Sequence, residues 1–250
     1  MGERTEHAPG TFSWADLSTT DTDGAKAFYT SLFGWDAEDS PIPEGGVYTM
    51  LLKAGKPVAA LSAAREGQPS AWNAYVTVES ADDTAAAAGE RGGVVVMEAF
   101  DVMDVGRMAV VQDPTGAFFA VWEPRASIGA ERVNEPGALT LNQLNTSNAE
   151  RAQEFYEGVF GWRFESVEGG DMPYWGIYEG DRLNGGMMEQ SPSAWLVYFG
   201  SESVDDDAGR IRELGGELLI EPMPVPGGRI LVARDPQGAV FAVLSGRFDD

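Results

Sequence analysis

The chain contains no cysteine, which excludes disulfides, thiolate metal sites and a cysteine nucleophile together, and which fits a cytoplasmic address. It has a single histidine, His7. That scarcity removes the Ser-His-Asp triad, the imidazole sets that hold catalytic iron, and the commonest general base. Basic residues are few: 17 Lys and Arg stand against 40 Asp and Glu, for a formal charge of −23. Such a field repels phosphate backbones, and no basic stripe interleaved with aromatics offsets it, so nucleic acid is set aside as a partner. No apolar run approaches the roughly 18 residues needed to cross a bilayer, so no membrane association is expected. The first ten residues are polar, lack the apolar core of a signal peptide, and read as a mobile tail carrying His7. Gly2 does not begin a myristoylation motif, because Glu6 stands where Ser or Thr is required. The sequon at Asn145-Thr146-Ser147 reads as coincidence without a signal peptide.

What is present is a repeat. At 250 residues the chain has room for two domains, and sliding it against itself aligns Pro9 to Trp35 with Pro136 to Trp162 without a gap. The shared residues include Leu17/Leu144, Ala25/Ala152, Phe28/Phe155, Tyr29/Tyr156 and the Phe-Gly-Trp endings. A second block, Gly106-Arg107 with Asp113-Pro-Thr-Gly, returns as Gly228-Arg229 with Asp235-Pro-Gln-Gly. The offset is 127 residues in the first block and 122 in the second, so residues have been lost in loops between them. These limits divide the chain into a domain over 9–123, a linker over 124–135 and a domain over 136–246.

Periodicity sets the elements of each copy. Thr11 to Ser18 alternates as a half-buried strand; Asp21 or Thr20 then caps a helix with Ala25, Phe28, Tyr29 and Leu32 on one face, ended by Gly34. Strands follow at Val47 to Lys53, Val58 to Ala63 and Ala71 to Glu79. An alanine-rich helix at Asp82 to Arg91 leads to strands at Val94 to Met97, Gly106 to Gln112 and Ala117 to Glu123. Asp113-Pro114-Thr115-Gly116 is a type I turn signal. Phe28, Tyr29, Phe155 and Tyr156 recur at helical spacing and read as core. Arg107 and Arg229, beside the Asp-Pro turns, are expected to neutralise Asp113 or Asp235.

The Ala-Lys-Ala-Phe-Tyr phrase of residues 25–29, the Phe-Gly-Trp of 33–35 and the later Asp-Pro-x-Gly turn together resemble the vicinal oxygen chelate superfamily, which includes glyoxalase I, extradiol dioxygenases and bleomycin-resistance proteins. The resemblance implies an α+β fold of paired βαβββ modules, two per copy, each pair curling into a half-open barrel. It also implies a divalent metal held by His or Gln in the first strand, His in the strand opening the second module, and Glu in the last. Distance from the shared motifs places Trp14, Asn73 and Ala120 at those positions in the first copy, and Leu141, Leu196 and Ala242 in the second. We therefore expect no metal and no cofactor. Glu123 should face outward, and Asp16 and Gln143 inward.

Ligands replaced by Trp, Leu and Ala leave an apolar interior, the usual form of a small-molecule site. The expected partner is a small aromatic or apolar organic molecule. Trp14, Tyr48, Asn73, Tyr75 and Trp122 are the candidate binding residues of the first copy, with Gln143, Trp175 and Tyr198 in the second. Asp16 is the candidate catalytic residue, its pKa raised by desolvation so that it can act as a general base or meet a ligand cation. Its structural reading, a carboxylate hydrogen-bonded inside a barrel filled by aromatics, stands beside that one. Three functions remain open: metal-independent isomerase or lyase chemistry, sequestration of a drug or metabolite without turnover, and a degenerate scaffold. Both monomer and homodimer are compatible with the sequence.

Overall fold

The computed structural model describes residues 2–42, 45–167 and 172–248. The first copy runs β1 (Phe12–Thr19), α1 (Thr22–Phe33), β2 (Asp36–Pro41), β3 (Val47–Lys53), β4 (Lys56–Ala63), β5 (Ala71–Thr77), α2 (Ala81–Glu90), β6 (Val94–Val102), β7 (Gly106–Gln112) and β8 (Phe118–Pro124). The second repeats this order as β9 (Leu139–Thr146), α3 (Ala149–Phe160), β10 (Arg163–Ser166), β11 (Tyr174–Glu179), β12 (Arg182–Glu189), β13 (Ala194–Ser201), α4 (Val204–Glu213), β14 (Glu217–Val225), β15 (Gly228–Arg234) and β16 (Val240–Gly246). Each copy forms one mixed eight-stranded sheet, β2-β3-β4-β1-β5-β8-β7-β6 and β10-β11-β12-β9-β13-β16-β15-β14. The two modules of a copy therefore pair with each other, and neither sheet closes.

Local signals account for the elements. Asp21 Oδ1 accepts from Gly24 N and starts α1; Gly34, at φ 69°, ends it in the left-handed region that glycine enters without penalty. Ser80, Asn148 and Ser203 cap the other three helices in the same way. Two strands differ most from expectation. β2 has no apolar alternation because every one of its residues is exposed, and β6 extends five residues past Met97. Both are edge strands, which have no second neighbour to impose a buried pattern.

The copies interlock through the repeated motifs. The Tyr29 hydroxyl, on α1, donates to Asp235 Oδ2 in the Asp-Pro turn of the second copy at 3.0 Å, while accepting from Trp72 Nε1 at 2.9 Å. Reciprocally, Tyr156 donates to Asp113 Oδ2 at 2.9 Å and accepts from Trp195 Nε1 at 2.8 Å. Phe28, Phe33 and Tyr29 meet Phe241 and Phe199, and one apolar core runs through both copies. The expected role of the arginines is thereby corrected. Arg107 pairs with Asp82 and Asp101, and Arg229 with Asp205, because tyrosine hydroxyls and turn amides already satisfy Asp113 and Asp235.

The N-terminal segment is not loose. Arg4 N donates to Glu131 O, Val133 N to Gly2 O, and His7 Nε2 to Ala130 O at 2.7 Å. Burial pushes the His7 pKa down, and nearby Arg4 and Arg182 act in the same direction. The linker is equally tied, since Ala130 is fully buried and donates to Ser13 O.

Candidate functional site

Strand register fixes which side chains share a face, because paired residues point the same way and alternate along the strand. In the first copy Asp16 pairs with Asn73, Trp14 with Tyr75, and Tyr75 with Ala120. The face continues through Trp122, Met108 and Phe100, and through Ala120, Val110 and Met97. It is curved. Arg65, just past β4, reaches Met97 of β6 at 3.5 Å although four strands lie between them. A flat sheet would hold those strands about 24 Å apart at ~4.8 Å per step, so the sheet is curled into a trough.

Asp16 sits on the trough floor. Its Oδ2 accepts from Tyr75 Oη at 2.8 Å and from Tyr48 Oη at 3.4 Å, and its Oδ1 from Asn73 Nδ2 at 2.8 Å. Trp14 Nε1 donates to Tyr48 Oη at 3.2 Å, so Trp14, Tyr48, Asn73 and Tyr75 form one network around the carboxylate. Asp16 retains 9% of its exposure, and no cation pairs with it among the described residues. Burial raises its pKa, and the bonds from Asn73, Tyr75 and Tyr48 oppose that rise by favouring the ionised form. Burial and the Asp16 charge push both tyrosines well above their ordinary range, so they stay protonated donors. The half-buried Tyr48 and Asn73 form the mouth.

Trp122 closes one side, its ring against Gly106 and its Nε1 donating to Ser127 O at 3.0 Å. Beyond it the trough is apolar and open: Phe100 is 38% and Phe118 52% exposed, with Met97, Met108 and Val110 half-buried between. Sequence reading missed these residues. The alternation of Met108, Val110 and Gln112 before the Asp-Pro turn is the signal that could have found them.

The second copy presents a different trough. Tyr198 Oη donates to Gln143 Oε1 at 3.0 Å, the counterpart of Tyr75 and Asp16, and Gln143 Nε2 donates to Asn145 Oδ1 at 2.8 Å. Leu196, Val232 and Ala242, with Leu141, Ile230 and Leu244 around them, make an apolar cluster separate from the main core. Trp175 is not in it. Trp175 registers with Met187 and Leu144, both fully buried on the core side. Its neighbour Tyr174 takes the place of Tyr48, its hydroxyl so close above Gly186 that a Cβ there would collide with it. The repeat offset has shortened by one residue before β11, and burial pushes the Tyr174 pKa up to about 12.

The metal positions implied by the resemblance do not fit a metal. Trp14, Leu141, Leu196, Ala120 and Ala242 offer no usable donor, which leaves the Asn73 amide oxygen as the one side-chain donor among the six positions, too few to hold an ion. Among the described residues no group of three or more His, Asp or Glu could hold an ion. Glu123 faces away, its Oε2 accepting from Ala81 N at the start of α2, where the helix dipole favours a negative charge.

The sequence profile of the Glyoxalase/Bleomycin resistance protein/Dioxygenase superfamily matches residues 11–121 and again 138–243. The chain belongs to this superfamily. Among superfamily relatives, it is 42% identical over 255 residues to the Mycobacterium bovis protein CFP32, a glyoxylase by provisional name, with 98% of each chain covered. It is 34% identical over 262 residues to the anthracycline biosynthesis protein DnrV of Streptomyces peucetius, covering 96% of this chain and 94% of that one. Two superfamily structures share the fold. The Mn(II)-bound glyoxalase of Novosphingobium aromaticivorans superposes with a TM-score of 0.69 at 20% identity, over 100% of this chain and 86% of that one. The 2,3-dioxygenase LapB of Pseudomonas sp. KL28 gives 0.68 at 15%, over 97% and 94%.

Proposed function

We propose that the first-copy trough binds a small aromatic or otherwise apolar organic molecule and that Asp16 takes a proton from it, in chemistry that needs no metal. The observation that carries this is a buried carboxylate held only by neutral donors, at the end of an open apolar face. Burial raises its pKa and makes it a stronger base than a solvated aspartate, while its three hydrogen bonds favour the ionised form. A ligand C–H beside a carbonyl would pass its proton to Asp16 Oδ2, the electron pair remaining on the ligand as an enolate. Return of the proton at another carbon completes an isomerisation without a co-reactant, and return at the same carbon after Asp16 has traded its proton with water completes an exchange. Tyr48 and Tyr75, which donate to Asp16 Oδ2 while it is ionised, are released when it takes the proton and can then turn to the enolate oxygen. The relatives named for anthracycline biosynthesis support a planar aromatic ligand.

The bicyclic aromatic ketone 2-tetralone serves as the probe. Binding is read as quenching of Trp14 and Trp122 fluorescence, and proton abstraction as exchange of its α-hydrogens with D2O by NMR. Asp16→Asn should slow exchange about a hundredfold or more while leaving quenching within a few-fold. Exchange at the same rate in both proteins would sink the role of Asp16. Quenching without any exchange in the native protein would favour the sequestering reading.

A further inference from the structure

The first trough carries a cation as well as Asp16. Past the end of β4, Ala64 N donates to Thr19 O at 2.8 Å, which continues the pairing of β4 with β1. Gln68 N then donates to Arg65 O at 3.0 Å and closes a turn. Arg65 is thus launched from a fixed backbone, and its side chain spans the trough to Met97 on β6. The end it spans is the one where β1 finishes. There Asn73 pairs with Asp16, and Phe118 and Val94 flank Gln112, while Trp14 and Trp122 lie toward the other end.

Arg65 touches a poor partner. Met97 Sδ, at 3.5 Å, is a neutral thioether and a weak acceptor. The exposed Arg65 forms no ion pair among the described residues. In a chain with 40 acidic side chains against 17 basic ones that is uncommon: Arg107, Arg125, Arg163, Arg212, Arg229 and Arg234 each pair with a carboxylate.

A second, independent sign is the other copy, which lacks both charges. Gln190 N donates to Thr146 O as Ala64 N does to Thr19 O, and Ser193 bonds Ser147 N as Ser70 bonds Thr20 N. Between these matched points the first copy has Arg65 to Pro69 and the second only Ser191-Pro192. Across the trough Met97 gives way to Ile220, each paired with the matching valine, Val110 or Val232. On the floor Asp16 gives way to Gln143. The cation and the acid occur together in one copy and are both absent from the other.

We propose that Arg65 binds a carboxylate of the trough's ligand, so that the substrate class is an aromatic or apolar ketone carrying an acid group remote from the carbon that Asp16 deprotonates. This rests on the reading of the trough as the binding site and names the molecule it takes. Asp16 alone would repel an anion. Arg65 supplies the counter-charge at the open end, with two parallel N–H donors for the carboxylate, while Met97, Val110 and Phe118 take the apolar frame. Leaving a neutral sulfur for a carboxylate exchanges a weak bond for a charge-assisted one.

The test titrates the full chain with 6-carboxy-2-tetralone, ionised at about pH 7, and with its neutral methyl ester, each followed by quenching of Trp14 and Trp122. The acid should bind about fivefold tighter than the ester, and added salt should shrink that ratio. Arg65→Gln should reverse the ratio, because the −23 charge and Asp16 then act on the acid unopposed. Arg65→Lys, which keeps the charge without the fork, should retain part of it. A ratio below about twofold in the native chain, or one unmoved by Arg65→Gln, overturns the role of Arg65 and leaves the Asp16-dependent exchange of 2-tetralone standing. Absence of that exchange with the Arg65-dependent ratio intact supports the role of Arg65 and strikes only that of Asp16.

Discussion

Removal of one oxygen atom from α1 should destabilise the whole molecule. In Tyr29→Phe the ring can stay where it is, fully buried, but its hydroxyl is lost. Trp72 Nε1 then has no acceptor, and Asp235, 3% exposed, keeps only the amides of its own turn. Each buried polar group left unpaired costs about 1–3 kcal/mol, with more for a charged one. The slightly more apolar phenylalanine offsets part of this, and the net loss is about 3 kcal/mol. For a chain of this length that corresponds to a midpoint drop of roughly 6–12 °C. Urea unfolding followed by tryptophan fluorescence and far-ultraviolet circular dichroism gives the value directly. Because Tyr29 and Asp235 lie in different copies, both probes should report one transition. A loss under about 1 kcal/mol, or separate transitions for the two signals, would refute the view that these bonds weld the copies into one cooperative unit. Tyr156→Phe, through Asp113 and Trp195, should reproduce the loss.

Asp16→Asn carries a pH signature. The folded pKa of Asp16 is raised above its ordinary 3.8, so burying the charge costs stability above the folded pKa and nothing below 3.8. The stability of the variant relative to the native protein should therefore rise with pH across that window and stay level above it; a difference independent of pH would contradict the desolvated carboxylate. Gly106→Ala places a Cβ 2.2 Å from the Trp122 ring, which must shift, so the variant should lose about 1–3 kcal/mol and bind 2-tetralone more weakly. Dialysis against a chelator should leave the unfolding midpoint and 2-tetralone quenching unchanged, whereas a drop of several degrees would mean that a bound cation stabilises the fold.

The layout of the fold was legible because its signals are local and doubled. The caps at Asp21 and Gly34, the Phe-Tyr pair on one helical face and the Asp-Pro turn each appear in both copies. The network around Asp16 was legible for a related reason: once β1 and β5 are placed, alternation alone puts Trp14, Asp16, Asn73 and Tyr75 on one face. What escaped depended on long-range geometry. β2 has no buried face to pattern it. Trp175 and Tyr174 are adjacent, and a single lost residue ahead of them exchanges core for trough. The partner of Tyr29 is 206 residues away, and no period within one copy points to it. The ordered N-terminal segment is also non-local, since its bonds are to the linker.

The two sides of each sheet have diverged to different extents between the copies. On the buried side, Leu17, Phe28, Tyr29 and Trp35 recur as Leu144, Phe155, Tyr156 and Trp162. Facing the troughs, Trp14, Asp16, Asn73 and Trp122 stand against Leu141, Gln143, Leu196 and Leu244, while Tyr48, Tyr75, Val110 and Ala120 persist as Tyr174, Tyr198, Val232 and Ala242. A shared spine thus frees the outer surfaces to change independently. One molecule carries an acidic recess and a neutral one, and a compound suited to the first has no reason to enter the second.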